Sequence, residues 1–375
     1  MKKVVSTIIA FIFISVFLSF PTFAEEDCLS VSADSAILVC GDTGKVLYAK
    51  NEREKRPMAS TTKIMTALLA LEYADSDNKD ITITDEMVRT EGSSMGLLPG
   101  YIISIDNIVK GMMMCSGNDA ANTLAYAISG SKDDFSKLMN ERANQLGMYD
   151  THFVTPSGLD DKDHYSTAYD MAILGAYAMD NGKFADIVSQ KSAKVKFVNP
   201  NETRTYKNHN RLITLYDGCI GIKTGFTKKA GRCLVSCAQR DGAKLIAVTL
   251  RAPNDWDDHQ KMYDYGFSKV KSVELDDELT RFSVDVVGAL DEQITVVGSK
   301  TSATVLNEKA ERIERGVELP SFVYAPITQG QIIGRIVYSV DGEIIAVNNL
   351  TATKDEPVIE KKKGFFERIF EFFKK

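Results

Sequence analysis

The chain has 375 residues, of which 44% are hydrophobic and 26% charged, and its formal net charge is −6. That length accommodates two domains, and the composition is that of an ordinary globular protein. No basic cluster marks a surface for DNA or RNA, so we predict no nucleic-acid partner. The four histidines form neither HExxH nor another close ligand spacing, so we predict no metal site and exclude a zinc hydrolase.

Residues 1–24 have the pattern of a secretory signal peptide. Two lysines follow the first methionine, the apolar run VVSTIIAFIFISVFLSF comes next, and Thr22 and Ala24 give a small-x-small cleavage pattern. Cleavage after Ala24 predicts a protein that works outside the cytoplasm, and a retained membrane anchor is the alternative. Export permits disulfides, but we interpret most of the six cysteines as small buried side chains.

The next block, 25–269, predicts a sheet with helices around it. Its apolar patterns give two hairpins, around residues 41–44 and Asp241-Gly242, and a last helix in DDHQKMYDYGFSKV. Between the hairpins, helical patterns occur at 60–74, 104–115, 117–129 and 133–147, and in a segment that ends near Gly182. Strands, then helices, then strands are typical of a domain in which helices cover an antiparallel sheet.

From 270 to 352 short β-like runs replace the helical patterns, which predicts a small all-β domain. A polar linker follows at 353–363. The final stretch, 364–375, has the sequence GFFERIFEFFKK, and its large apolar side chains fall within roughly 160° of a helical wheel. Such an amphipathic helix with basic flanks is typical of a membrane-surface anchor, and docking on the protein itself is the alternative.

Ser60 opens the apolar segment MASTTKIMTALLALEYA, and Lys63 lies one turn later on the same helix face. A helix start offers free N–H groups, so a serine there can attack a carbonyl whose developing oxyanion is held by the serine's own N–H. Burial lowers the pKa of a lysine, as does a second cation nearby, and a neutral lysine can take the proton of the serine. We therefore predict Ser60 as nucleophile and Lys63 as general base.

Ser116 and Asn118 form a second motif, directly after the apolar run IVKGMMMC. A literal Ser-Asp-Asn begins at Ser76, but the rise of the intervening helix would place Ser76 roughly 24 Å from Ser60. Ser116 belongs to a separate element and can fold back onto Ser60. We interpret the neighbouring Cys115 as a packed side chain and not as a thiol nucleophile.

Lys223, Thr224 and Gly225 form a third motif, which is predicted to end a strand. A glycine there lets a substrate backbone approach closely, and an exposed strand edge can pair with a peptide. Lys223 would supply a cation for a substrate carboxylate and would lower the pKa of Lys63.

Ser-x-x-Lys, Ser-x-Asn and Lys-Thr-Gly, in this order, resemble the motifs of serine penicillin-binding proteins. The sequence around these motifs reads RPMASTTKIMTALLALE, CSGNDAANTLA, FVTPSGLDDKDHYSTAYDMA and DGCIGIKTGFTKKAGRCLVSCA. It is more closely similar to the low-molecular-mass D-alanyl-D-alanine carboxypeptidases of the penicillin-binding protein 5 type, peptidase family S11. The resemblance covers roughly 30–270, and the β domain and terminal helix match the family's layout. It implies the α/β (α+β) fold of serine β-lactamases and penicillin-binding-protein-like transpeptidases.

The resemblance also implies a reaction. Ser60 attacks the penultimate D-alanine carbonyl of a peptidoglycan stem peptide, Lys63 accepts the proton, and the terminal D-alanine leaves with a proton delivered through Ser116. Water then hydrolyses the acyl-enzyme without a metal or organic cofactor, and β-lactam antibiotics are covalent inhibitors. Asn118 would orient the substrate amide and Lys63.

The remaining roles implied by the resemblance belong to the third motif. Lys223 and Thr224 would hold the terminal carboxylate, and the oxyanion would lie between the N–H groups of Ser60 and Phe226. Phe226 stands where family members often carry histidine or threonine. The family's carboxylate-binding arginine falls on His209, with Arg211 two positions on, and either could assist Lys223.

Two rival functions remain. A β-lactamase shares the three motifs, but class A enzymes need a glutamate that activates the deacylating water, and the nearest candidate, in ERANQ, lies in a predicted helix. An inactive penicillin-sensing or wall-associated module would keep the fold, although all three motifs are intact here.

Overall fold

The computed structural model describes residues 29–359. The predicted signal peptide, the predicted terminal helix and the end of the predicted linker lie outside the described residues. Within them, a part that combines helices and strands is followed by a part built mainly from strands, which confirms the α+β class and the β-rich C-terminal region. No helix between residues 29 and 359 has the length and apolar character needed to cross a membrane.

Strands and helices are numbered in chain order. The strands of the first part are β1 (Ser35–Cys40), β2 (Val46–Lys50), β3 (Asp80–Thr82), β4 (Ile102–Ser104), β5 (Ser192–Lys196), β6 (Thr203–Lys207), β7 (Cys219–Thr227), β8 (Gly231–Arg240) and β9 (Ala243–Leu250). The helices are α1 (Lys63–Asp77), α2 (Asp85–Val88), α3 (Ile105–Cys115), α4 (Asn118–Ser129), α5 (Lys132–Gln145), α6 (Ala168–Asp180), α7 (Gly182–Val188), α8 (Leu212–Leu215) and α9 (Asp255–Lys269). A 3₁₀ turn, Ala59–Thr62, leads directly into α1.

A five-stranded antiparallel sheet in the order β2-β1-β9-β8-β7 positions the site. Every residue of β1 is buried because both faces of the sheet are covered. Ile37 and Val39 pack into the core shared with α1, α3 and α6, whereas Ala36 and Leu38 pack on the other face, which α9 covers. β7 is left at the edge, next to the 3₁₀ turn that precedes α1.

α1 runs through the middle of the helical cluster. Ten of its 15 residues are buried, so the helix is covered on nearly all sides, as its apolar sequence indicated. The helices predicted at 104–115, 117–129 and 133–147 are α3, α4 and α5, with ends that differ by at most two residues. The two predicted hairpins are β1–β2 and β8–β9. The β3–β4 and β5–β6 pairs were not predicted.

The C-terminal part begins where α9 ends. Its strands are β10 (Val270–Asp276), β11 (Arg281–Val287), β12 (Gln293–Val297), β13 (Lys300–Leu306), β14 (Glu314–Glu318), β15 (Phe322–Tyr324), β16 (Ile332–Val340) and β17 (Glu343–Ala352). β10 pairs with β13, and the others form a sheet in the order β14-β16-β17-β12-β11-β15 with one parallel pair, β11–β15. The buried Asp277 accepts hydrogen bonds from Arg315, Tyr338 and Asn348, which ties the end of β10 to β14, β16 and β17.

Candidate active site

Ser60 lies in the 3₁₀ turn that precedes α1 and is half-buried. The residue before it, Ala59, has φ of 49°, a left-handed conformation that costs about 1–2 kcal/mol for a residue with a Cβ. The turn is held in place by tight packing, since a Cβ at Gly158 would lie 1.9 Å from the Ala59 carbonyl oxygen. The strained turn presents Ser60 at the amino end of a buried helix.

Lys63, the first residue of α1, is completely buried. Its Nζ lies 2.9 Å from Ser60 Oγ, 2.7 Å from Asn118 Oδ1 and 2.6 Å from the Ser157 carbonyl oxygen. Burial holds the pKa of Lys63 well below its usual range, and the charge of Lys223 lowers this pKa further. A neutral Nζ can donate two N–H bonds to Asn118 and Ser157 and turn its lone pair to the Ser60 hydroxyl.

Ser116 and Asn118 lie between α3 and α4. Ser116 ends α3 in the left-handed conformation, with φ of 62° and ψ of 30°, and Asn118 begins α4. Asn118 Nδ2 donates to the Glu91 carbonyl at 2.7 Å, which leaves Oδ1 to accept from Lys63. The next residue, Asp119, is buried, and its carboxylate accepts several backbone N–H bonds from residues 95–97. These contacts fix the 91–97 loop, which forms one wall of the site.

The Lys-Thr-Gly motif lies on the edge strand β7. Lys223 is 1% exposed and donates to the Thr224 carbonyl at 2.8 Å, and burial lowers its pKa to about 8. A Cβ at Gly225 would lie 2.9 Å from the Met58 carbonyl oxygen and 3.0 Å from the Ser60 nitrogen. The glycine is therefore needed for close packing of β7 against the nucleophile turn, a reason that differs from the predicted approach of a substrate backbone.

These elements surround a cleft of about 360 Å³. Its lining includes the predicted residues Ser60, Ser116, Thr224, Gly225 and Phe226. It also includes Ser93, His209, Arg211, Arg232, Asp255 and Trp256. Lys63, Asn118 and Lys223 do not line it and are buried. A larger cleft of about 490 Å³, between the β1–β2 hairpin and the C-terminal part, contains none of the predicted site residues.

The sequence left open the roles of three cleft residues, Phe226, His209 and Arg211. Phe226 is 66% exposed, so its side chain projects into solvent at the mouth of the cleft. The His209 residue is exposed, but desolvation of its ring and, second, the charge of Lys223 lower its pKa, which favours the uncharged imidazole. Arg211 lines the cleft but is exposed.

The loop that supplies the Ser157 carbonyl was missed by sequence reasoning, because a backbone acceptor has no residue signature. His164 holds this loop. Its Nδ1 accepts the N–H groups of Val154, at 2.9 Å, and Thr155, at 3.3 Å. Its Nε2 therefore carries the proton and donates to Thr62 Oγ1 at 2.8 Å. Burial lowers the pKa of His164 to about 4, so the ring is neutral near pH 7.

The cysteines within residues 29–359 are free thiols that are buried or partly buried. Cys115, next to Ser116, is a partly buried free thiol whose pKa is raised to about 11 by burial, which disfavours a thiolate nucleophile. The free thiols of Cys40, Cys219, Cys233 and Cys237 are buried, in agreement with their interpretation as packed side chains. In residues 29–359 no group of three or more potential ligand side chains is arranged to hold a metal ion.

Known proteins with the same sequence pattern identify the family. Residues 21–254 match the profile of peptidase family S11, described as D-alanyl-D-alanine carboxypeptidase. The chain belongs to this family. Residues 267–357 match the C-terminal domain of penicillin-binding protein 5, which is the part built here from β10 to β17.

Individual relatives extend the match over nearly the whole chain. The D-alanyl-D-alanine carboxypeptidase DacF of Bacillus subtilis is 33% identical over 384 residues, which cover 97% of this chain and 96% of DacF. DacC of Escherichia coli is 32% identical, with coverage of 95% and 92%. These carboxypeptidase matches favour the predicted function over the β-lactamase alternative.

Solved structures agree with the fold. Penicillin-binding protein 5 from Haemophilus influenzae superposes with a TM-score of 0.66 at 28% identity and covers 88% of this chain and 98% of its own. A mutant of the Streptomyces K15 DD-transpeptidase gives a TM-score of 0.61 at 31% identity, with coverage of 64% and 99%. The penicillin-binding-protein-like fold predicted from the motifs is thereby confirmed.

Proposed function

We propose that the chain is a serine-type D-Ala-D-Ala carboxypeptidase that removes the terminal D-alanine from peptidoglycan stem pentapeptides. The observation that carries the proposal is the 2.9 Å distance between Lys63 Nζ and Ser60 Oγ, in a site where burial and Lys223 both disfavour the charged lysine. A serine hydroxyl is a weak nucleophile without a base, and a neutral amine at hydrogen-bond distance supplies one. No water-filled path or metal is needed for this first proton transfer.

In the acylation step, the backbone at the start of α1 would supply part of the oxyanion hole. Attack of Ser60 Oγ on the penultimate carbonyl places negative charge on the carbonyl oxygen. The close packing of Gly225 against the Ser60 nitrogen supports an oxyanion hole formed by the N–H groups of Ser60 and Phe226, on adjacent backbone segments. Removing one such donor in other serine hydrolases costs about 10²–10³-fold in rate.

The leaving D-alanine needs a proton on its nitrogen. Ser116, which lines the same cleft as Ser60, is the candidate donor. Asn118 holds Lys63 through Oδ1 and is itself held by the Glu91 carbonyl, so it keeps the base aligned during the transfer. Lys223 contributes its positive charge from the buried face of β7. The exposed edge of this strand can pair with the peptide backbone.

Water then hydrolyses the ester of Ser60 and releases the shortened peptide. A β-lactam that acylates the same serine should be released much more slowly. The lining of the cleft, which lies within residues 29–359, contains a single carboxylate, Asp255, and this group is bound to Arg232 and does not contact Ser60. A base comparable to the class A glutamate is therefore missing from the described lining, which favours a penicillin-trapping carboxypeptidase over a β-lactamase.

We also propose that the enzyme is secreted through its signal peptide, cleaved after Ala24, and lies on the outer face of the cytoplasmic membrane. The helix predicted at 364–375 would attach it peripherally, through its apolar side and basic flanks. This location would bring the cleft to its peptidoglycan substrate. The corresponding domain limits are 25–269 for catalysis, 270–352 for the β domain and 353–363 for the linker.

The direct test of the proposed activity is D-alanine release from a purified peptide that ends in D-Ala-D-Ala. Mature protein should release the terminal D-alanine without added metal and should be blocked by benzylpenicillin. Absence of both D-alanine release and covalent penicillin binding would overturn the proposed function. Rapid, repeated hydrolysis of penicillin would instead indicate a β-lactamase.

A further inference from the structure

The sequence motifs leave open which cation contacts the terminal carboxylate of the substrate, and Lys223 is poorly placed to do so. Lys223 is 1% exposed, donates to the Thr224 carbonyl and does not line the cleft. A direct ion pair with a substrate would require its ammonium to leave this buried position. A permanent cation on the cleft wall would meet a carboxylate without that movement.

Arg232 is such a cation. It lies on β8 directly opposite Phe226 on β7, so both side chains project from the same face of the sheet, as does that of Thr224. Arg232 and Thr224 both line the cleft that contains Ser60. A guanidinium and a hydroxyl are therefore presented together on the wall beside the nucleophile.

The guanidinium of Arg232 is held on one side only. Its Nε donates to Asp255 Oδ1 at 2.8 Å and its Nη2 donates to Asp255 Oδ2 at 3.0 Å. The Asp255 side chain is 2% exposed, whereas that of Arg232 is 41% exposed. The Trp256 ring supports the group, with its centroid 5.4 Å from Arg232 Cζ. Within residues 29–359, Nη1 makes no hydrogen bond.

This arrangement differs from that of the other cleft cations. Arg211 forms no ion pair with any residue between 29 and 359, so a ligand would have to immobilise its long side chain. Desolvation of its ring and the charge of Lys223 lower the pKa of His209, which favours the uncharged imidazole. Only the guanidinium of Arg232 is both charged and fixed in advance, and its planar fork suits a carboxylate.

We propose that Arg232, positioned by Asp255 and Trp256, forms with Thr224 the subsite for the terminal carboxylate of the substrate. The inference rests on the proposed D-Ala-D-Ala carboxypeptidase activity and identifies the group that selects a free C-terminus. Lys223 then acts on Lys63 through its charge, and Arg232 makes the direct contact. The carboxylate of a penicillin would use the same subsite.

The test compares a peptide ending in D-Ala-D-Ala with its C-terminal amide, first on the mature wild-type protein and then on Arg232→Ala. Hydrogen bonds to charged groups contribute about 1.5–3 kcal/mol, so kcat/KM for the free acid should fall roughly 10- to 100-fold. The value for the amide should stay within about twofold, which also shows that the variant is folded. Arg211→Ala, the matched control in the same cleft, should not change the acid-to-amide ratio.

Two further variants keep the test decisive if Arg232→Ala is unstable. Arg232→Lys keeps a charge without the fork and should give an intermediate loss on the acid alone. Asp255→Asn should loosen Arg232 and give a smaller loss of the same kind. Equal losses on acid and amide in these variants, or an acid-specific loss in Arg211→Ala, would overturn the Arg232 subsite. A wild-type protein that neither releases D-alanine nor binds penicillin would instead overturn the proposed function.

Discussion

Lys63 Nζ and Ser60 Oγ lie 2.9 Å apart where the 3₁₀ turn leads into α1, and the lysine is completely buried. The neighbouring contacts from Lys63 to Asn118 and to the Ser157 carbonyl hold the amine in one orientation. The pair therefore combines a fixed geometry with an electrostatic environment in which the lysine can be neutral.

Lys63→Arg tests whether proton transfer is the function of Lys63. Arginine keeps a positive charge but stays protonated in proteins, so it cannot accept the Ser60 proton. The rate of acylation by a fluorescent penicillin should fall by about 10²-fold or more, the range for lost general-base catalysis. The melting temperature should be measured in parallel as the control for folding. Acylation at the wild-type rate would remove the base role.

Lys223→Ala tests the electrostatic coupling between the two lysines. Burial is the main cause of the lowered pKa of Lys63, and the charge of Lys223 is the second. Removing that charge should raise the pKa of Lys63, so the acidic limb of the pH–acylation profile should move to higher pH. The loss in rate should thus be larger at pH 6 than at pH 9. If Arg232 contacts the terminal carboxylate, Lys223→Ala should lower kcat/KM for the acid and amide peptides by similar factors. An acidic limb that does not shift would contradict the coupling between the two lysines.

His164 variants test whether the Ser157 loop positions Lys63. Asparagine can place its Oδ1 near the position of Nδ1 and still accept from Val154 and Thr155, whereas alanine leaves these buried donors unsatisfied at a cost of about 1–3 kcal/mol. Acylation should therefore decrease in the order wild type, His164→Asn, His164→Ala.

The matched control for His164 is His152→Asn, at an exposed histidine whose ring contacts a backbone carbonyl. It should acylate at the wild-type rate. If His164→Ala lowers the melting temperature but leaves acylation of the folded fraction unchanged, His164 is structural and does not position the base.

Truncation before Lys361 tests the proposed membrane attachment. The segment that is removed has six large apolar side chains, each contributing up to about 1.5–3 kcal/mol when fully buried, and partial burial in the headgroup region reduces the total. The truncated protein should keep its activity on a soluble peptide and stop co-sedimenting with anionic liposomes. Salt should weaken binding of the longer protein, because lysines flank the helix.

Two results would reject the anchor. Liposome binding that survives truncation would place the membrane contact elsewhere, and loss of activity on a soluble peptide would mean that the segment belongs to the fold.

Sequence patterns predicted the elements that carry local information. α1 and α3 to α5 were located closely because their apolar side chains recur with helical periodicity and are buried. Ser60, Lys63 and Asn118 were expected together on grounds of chemistry, and the contacts of Lys63 place them together. The roles assigned to them stay predictions until the variants are measured.

The missed features depend on contacts between distant segments. Arg232 and Asp255 are 23 positions apart and meet only because β8 and the start of α9 pack together, so no local pattern marks the pair. The Ser157 carbonyl is a backbone group and has no sequence signature. Gly225 was recognised from its motif, but its packing against the nucleophile turn required the structure.

The central claim, that Ser60 is the acylated residue, is tested most directly by intact-mass analysis after incubation with benzylpenicillin, followed by peptide mapping. The wild-type protein should gain the mass of one penicilloyl group on the peptide that contains Ser60. Ser76→Ala, at the literal Ser-Asp-Asn sequence on the exposed end of α1, should gain the same mass. Ser60→Ala should gain none, and a penicilloyl adduct on Ser60→Ala would contradict the account.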